Sequence, residues 1–92
     1  MASPAKYSVR YSEAAVRQLR KLDAFQRRMI LSWVDKNLAG TTNPRGHGKG
    51  LEENLAGLWR YRVGDYRLIA HIDDAEIYIE VIKIGHRSKV YP

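Results

Sequence analysis

Between Gly57 and Tyr91 the sequence runs GLWRYRVGDYRLIAHIDDAEIYIEVIKIGHRSKVY, apolar stretches rich in β-branched and aromatic residues that break at Gly64-Asp65 and Asp73-Asp74. Such stretches with turn residues between them predict a meander of strands and hairpins. No other feature of the chain narrows the fold as far. A two-residue loop at Gly64-Asp65 sets Val63 opposite Tyr66, Arg62 opposite Arg67, Tyr61 opposite Leu68, Arg60 opposite Ile69 and Leu58 opposite His71. Strand side chains alternate between faces. Trp59, Tyr61, Val63, Tyr66, Leu68, Ala70 and Ile72 therefore share an apolar face, and Arg60, Arg62, Arg67, Ile69 and His71 share the other.

Like charges directly opposite each other destabilise a sheet. A chain that sets Arg62 against Arg67 either splays the two into water or uses them to hold an anion. Neutralising acids are at hand in Asp65, Glu76 and Glu80, so the arginine face alone leaves both readings open.

The segment before the meander predicts a covering layer. Tyr7, Val9 and Tyr11 alternate as a first short strand. Ser12 caps a helix carrying Ala15, Val16, Leu19 and Leu22, and Asp23 with Gln26 opens a second in a capping-box pattern. Phe25, Met29, Ile30, Trp33, Val34 and Leu38 form the second helix's apolar stripe, a core face rather than a cofactor site, and Gly40 ends it. Thr41 to Gly50, TTNPRGHGKG, is expected to be a loop with no phosphate-binding glycine motif, holding the basic cluster Arg45, His47 and Lys49. Leu51 to Leu55 makes a helical turn. The expected fold is α+β: an N-terminal strand and a two-helix hairpin packed on a mostly antiparallel four-stranded sheet, residues 1–92 forming a single domain.

Ninety-two residues bury roughly 60% of the surface an unfolded chain exposes, which supports one modest core. Sixteen Lys and Arg against ten Asp and Glu give a formal charge of +6, suited to RNA, DNA, an anionic lipid surface or an acidic protein. No apolar run approaches the roughly 20 residues of a membrane span, and the N-terminus lacks the apolar stretch of a secretory signal. There is no cysteine, which excludes thiolate chemistry and a disulfide framework and fits a cytoplasmic setting. Scattered histidines give no metal-ligand spacing, the acids are dispersed, and no nucleophile elbow is present.

The chemistry-bearing residues that remain are Arg60, Arg62, Arg67, His86, Arg87 and Tyr91, with Lys83 and Lys89 close by. Guanidinium groups bind phosphate in pairs and stabilise charge that develops on it. Imidazole moves protons near neutral pH, and a tyrosine ring offers a base a face to stack on. An RNA 2′-hydroxyl supplies its own nucleophile, so these groups suffice for a ribonuclease needing no metal and no cofactor. Each also has a plainer role: Arg67 paired with an acid, His86 bonded to backbone, Tyr91 packed on the sheet.

R-x-G-D-Y-R-L-I, an acidic turn, and a strand ending I-G-H-R-S-K-V-Y together resemble the RelE toxins of the RelE/ParE superfamily, and the A-V-R-Q-L-R-K-L helix extends the resemblance over nearly the whole chain. It implies a type II toxin that cuts messenger RNA in the ribosomal A site, beside 16S rRNA, by attack of the 2′-hydroxyl on the adjacent phosphate. A RelB-like antitoxin would neutralise it, and the pair would repress their operon by binding operator DNA. By resemblance, Arg67 stabilises the transition-state phosphate, Tyr91 stacks on the A-site nucleotide, and Arg87 binds phosphate or helps protonate the leaving oxygen. Arg60 stands where some members carry a lysine proposed as general base. Arginine stays protonated, so His86 becomes the candidate acid or base and Arg60 and Arg62 become clamps. Arg45, Lys49, Lys83 and Lys89 complete the expected RNA-binding set, whereas Leu58 replaces a second family lysine. No longer C-terminal helix is expected after Tyr91. The alternatives are a ParE-like toxin that poisons DNA gyrase without cleaving RNA, and a nucleic-acid-binding domain without activity.

Overall fold

The computed structural model describes residues 4–90. In chain order they form β1 (Ser8–Tyr11), α1 (Glu13–Lys21), α2 (Ala24–Asn37), β2 (Gly48–Gly50), a 3-10 turn (Glu53–Leu55), β3 (Trp59–Val63), β4 (Tyr66–Asp73) and β5 (Tyr78–His86). The sheet order is β1-β5-β4-β3-β2, with β1 parallel to β5 and every other pair antiparallel. Two helices cover one face, which gives the α+β fold expected from the sequence.

The sheet has five strands, not four. The extra one, β2, lies at the end of the glycine-rich stretch expected to be a loop, and pairs Gly48 with Tyr61, Lys49 with Arg60 and Gly50 with Trp59. It was invisible because Gly-Lys-Gly has no apolar alternation. Its glycines are there for a steric reason: a Cβ on Gly48 would collide with the Arg60 carbonyl and the Trp59 indole.

Both helices start where their caps predict. The Ala15 N–H donates to Ser12 Oγ at 3.0 Å, and the Gln26 N–H to Asp23 Oδ1 at 2.8 Å. Ser12 Oγ also donates to the Ile82 carbonyl at 3.0 Å, which ties the start of α1 to β5. Ile69 pairs with Lys83 but Ala70 with Val81, so Ile82 is an extra residue on β5 and the strand is bulged there. At that irregularity the Ile84 N–H, which lies past the end of β1, donates to the Gln18 side chain of α1 at 2.6 Å. The helix thus takes over the sheet edge where β1 stops.

The expected apolar face is the core. Tyr61, Val63, Leu68, Ala70, Ile72, Ile79, Val81 and Ile84 meet Ala15, Leu19, Ile30, Val34 and Leu38 from the helices. At about 25 cal/mol per Å² of apolar surface, burial of side chains of this size stabilises by roughly 1.5–3 kcal/mol each. The α2 stripe departs from expectation at its first member. Met29 and Trp33 pack against the core, but Phe25, in the first turn of α2, is 66% exposed. Tyr61 is fully buried, and its hydroxyl donates to the Pro44 carbonyl at 2.6 Å, which anchors the loop before β2. Burial pushes its phenol up to about 12.

Candidate active site

The β3–β4 hairpin has the register predicted from Gly64-Asp65, with Arg62 opposite Arg67, Arg60 opposite Ile69 and Tyr61 opposite Leu68. The strand starts at Trp59, so the expected pairing of Leu58 with His71 falls outside it. The facing arginines avoid each other by diverging. Arg62 stays exposed, while Arg67 is only 8% exposed and turns back along the hairpin. Its Nη1 donates to the Gly64 carbonyl at 3.1 Å and to its neighbour's, Tyr66, at 2.9 Å. A guanidinium held this way has its orientation fixed by backbone before any anion arrives.

Room for it comes from the opposite strand, where Arg67 pairs with Gly85. The chain after β5 then folds back, and Val90, 2% exposed, lies over Gly85: a Cβ there would stand 3.4 Å from the Val90 Cβ. Three backbone bonds hold this return. The Lys89 and Val90 N–H groups donate to the His86 carbonyl at 2.8 and 3.0 Å, and the Arg87 N–H donates to the Asp65 carbonyl at 2.8 Å.

His86 sits opposite Tyr66, its ring meeting the phenol edge-on at 5.8 Å between centroids. Its Nδ1 lies 2.8 Å from Ser88 Oγ and accepts the Ser88 N–H at 3.2 Å. Arg87 Nε stands 3.9 Å from Asp65 Oδ1 with both side chains largely exposed, a contact worth no more than about 1 kcal/mol. Arg67, His86 and Arg87 therefore gather at the end of the sheet formed by the β3–β4 turn and the tail. Tyr91, the fourth expected catalytic residue, lies outside the described residues.

The expected RNA-binding residues divide. Lys49 pairs with Arg60 across β2 and β3, which puts them on the arginine side with Arg62. Lys83 lies opposite Ile69 and lines an apolar hollow of about 300 Å³ between the sheet and the 3-10 turn, bounded by Leu55, Leu58, Ile69, Ile82 and Val90. Lys89 is exposed on the tail. Arg45 does not join them. It grips Asp74 with two bonds of 3.0 and 2.9 Å beside the β4–β5 turn, at the far end of β4 from Gly64, and the Tyr7 hydroxyl donates to the same carboxylate at 2.7 Å. Arg45 is thus engaged with an acid 29 residues away and stands apart from the other cations. These bonds, Arg45 first and then Tyr7, hold the Asp74 carboxyl below the usual range.

Sequence reasoning passed over Ser88, Gly85 and the Asp65 carbonyl, which fix His86, Arg67 and the tail. Ser88 alone left a signal. A serine two residues after a histidine in a polar turn is placed for a local side-chain and backbone bond. Among the described residues no group of three or more His, Asp or Glu stands together as metal ligands, and no helix is long and apolar enough to cross a membrane. Chemically, the assembled end offers one fixed cation, Arg67, and one exposed cation, Arg87, for a phosphate, an imidazole for a proton, and neighbouring aromatic surface at Tyr66.

Residues 9–91 match the family model described as the ParE toxin of the type II toxin–antitoxin system parDE. Two curated relatives from Mycobacterium tuberculosis align over 85 residues, or 92% of this chain. They are Toxin RelG, at 32% identity and 95% of its own length, and Toxin RelE, at 35% and 86%. The structure resembles that of the RelBE2 toxin–antitoxin complex of the same organism with a TM-score of 0.81 and 32% identity, covering 89% of this chain and 99% of the other. With family model, relatives and fold in agreement over nearly its whole length, the chain belongs to the RelE/ParE superfamily of type II toxins and is of the RelE type.

Proposed function

We propose that the chain is an endoribonuclease that cuts messenger RNA in the ribosomal A site. The observation that carries the reading is the meeting of Arg67, His86 and Arg87 at one end of the sheet, Arg67 on the arginine side and His86 beside Tyr66 on the other, with Arg67 already oriented by the Gly64 and Tyr66 carbonyls. In the reaction the 2′-oxygen bonds to phosphorus, the bond from phosphorus to the 5′-oxygen breaks, and a 2′,3′-cyclic phosphate remains. Arg67 stabilises the charge gathering on the phosphate. His86 exchanges a proton with the reacting oxygens, and Arg87 binds phosphate beside it. Arg60, Arg62, Lys49, Lys83 and Lys89 carry the flanking backbone, and Tyr91 stacks on the A-site base. The reaction calls on no metal or other cofactor.

The solved relative is a complex of toxin and antitoxin. By the same likeness this chain binds a RelB-like antitoxin, which covers the basic face and with it represses their operon at the operator. The second reading is a ParE-like toxin that binds DNA gyrase and cleaves nothing, which the RelE-type relatives do not favour. Primer extension on a reporter message in a translating extract separates them. The ribonuclease reading expects cuts in frame with codons that disappear in Arg67→Ala. Growth arrest with DNA-damage signalling and no cuts would turn the reading to gyrase.

A further inference from the structure

We propose that Ser88 is a positioning residue that fixes the proton of His86 on Nε2, so that His86 is the donor to the leaving oxygen and not the base. The identity of that oxygen rests on the ribonuclease reading above; the tautomer does not.

The Ser88 N–H points at His86 Nδ1 from 3.2 Å. A backbone N–H only donates, so Nδ1 turns a lone pair toward it. A neutral imidazole carries one hydrogen, and with Nδ1 an acceptor that hydrogen is on Nε2. Ser88 Oγ, 2.8 Å from the same nitrogen, can act either way. It donates to the neutral ring and accepts Nδ1–H from the charged one. Nε2 thus bears a hydrogen in both states, and a nitrogen that already has its hydrogen cannot take the 2′ proton.

The arrangement is built rather than incidental. The His86 carbonyl is held by the Lys89 and Val90 N–H groups, and Val90 is buried beneath the turn. Tyr66 of the hairpin meets the ring edge-on, Asp65 of its turn holds the Arg87 N–H, Arg87 and Lys89 come from the ring's own segment, and Arg67, opposite Gly85, lies on the other face of the sheet. In the step itself the imidazolium gives its Nε2 hydrogen to the 5′-oxygen as the bond to phosphorus breaks. The ring is left neutral with its remaining hydrogen on Nδ1, donating to Ser88 Oγ, and exchange with water restores the resting tautomer. The 2′ proton leaves to water.

The test takes the full chain labelled with nitrogen-15 in histidine, with His86→Gln used to assign the signal against His47 and His71. The neutral ring of His86 is expected as a single tautomer with an unprotonated Nδ1. Ser88→Ala is expected to lower kcat about tenfold on a ribosome-bound message with KM unchanged, and to move the alkaline fall of the pH–rate profile to lower pH. The fall moves because the charged ring loses the oxygen that accepts its Nδ1 hydrogen. Ser88→Thr, which keeps the hydroxyl, is expected to restore both. A neutral His86 with its hydrogen on Nδ1 would overturn the proposal, as would a pH–rate profile identical with and without the hydroxyl. A chain that shows the tautomer but cleaves no RNA refutes the ribonuclease reading and the donor role with it, while the Ser88–His86 geometry stands.

Discussion

Replacing Arg67 separates what the site needs from what the fold needs. Its Nη1 serves the Gly64 and Tyr66 carbonyls at 3.1 and 2.9 Å from a side chain only 8% exposed. Hydrogen bonds from a charged donor contribute about 1.5–3 kcal/mol each. The two share one nitrogen, so Arg67→Ala is expected to cost about 2–3 kcal/mol in all, allowing for that overlap. For a domain of this size that lowers Tm by roughly 10–15 °C. Arg67→Lys keeps a cation that can reach one carbonyl but cannot divide planar donors between turn and phosphate. Its expected stability loss is about 1 kcal/mol, yet its single-turnover cleavage should fall about 10²-fold, the scale of losing one donor to a transition-state anion. Thermal unfolding and quenched cleavage of a programmed ribosome, run on the same preparations, read the two effects apart. A lysine variant cleaving within about threefold of wild type would refute the reasoning. So would an alanine variant whose activity fell only in proportion to the fraction unfolded.

Gly48→Ala is expected to strip β2 from the sheet edge, because the added Cβ meets the Arg60 carbonyl and the Trp59 indole. Overpacking of this kind costs about 1–3 kcal/mol, read as an earlier midpoint in urea. Tyr61→Phe leaves the Pro44 carbonyl without its 2.6 Å partner inside the core and is expected to cost about 1–2 kcal/mol by denaturant melt. The Asp74 carboxyl, held low by Arg45 and Tyr7, adds stability that is fully present above the ordinary carboxylate value and lost as pH falls through its own lower one. Wild type should therefore exceed Asp74→Asn in Tm at pH 7, with the gap closing below pH 3.8. Tyr61 and Tyr11, both pushed up to about 12 by burial, act in the opposite sense. Stability holds to pH 10.0, where unfolded tyrosine ionises, and falls between there and about 12, which an alkaline titration followed by tyrosine absorbance detects.

How much of this was legible in the sequence depended on the range over which each cause acts. The Gly64-Asp65 loop fixed the β3–β4 register pair by pair, since a two-residue turn leaves no freedom once the faces are assigned. Ser12 and Asp23 fixed the helix starts for an equally local reason, a side chain bonding a backbone three residues on. Phe25 misled because periodicity places a residue on a helix face without saying whether anything lies opposite it. Strand β2 left no pattern, and the Ile82 bulge follows from how α1 meets β5, a pairing that no local spacing encodes. At the site, the hairpin put Arg67 near the turn, but its burial depends on Gly85 and Val90 from the other end of the chain. Arg45 was grouped with the phosphate-binding cations by its neighbours in sequence. Its partners, Tyr7 and Asp74, are brought together by the parallel pairing of β1 with β5 and by the β4–β5 turn.

The central claim is that the end of the sheet bearing Arg67 and His86 cleaves RNA on the ribosome. The most direct measurement incubates the purified chain with a defined message, with and without programmed ribosomes, and determines the chemical end left at each cut. The account predicts cuts at the A-site codon only when ribosomes are present, each leaving a 2′,3′-cyclic phosphate, with their loss in the double variant Arg67→Ala, His86→Ala. An intact message beside inhibited gyrase supercoiling would contradict it, as would full-rate cleavage by the double variant.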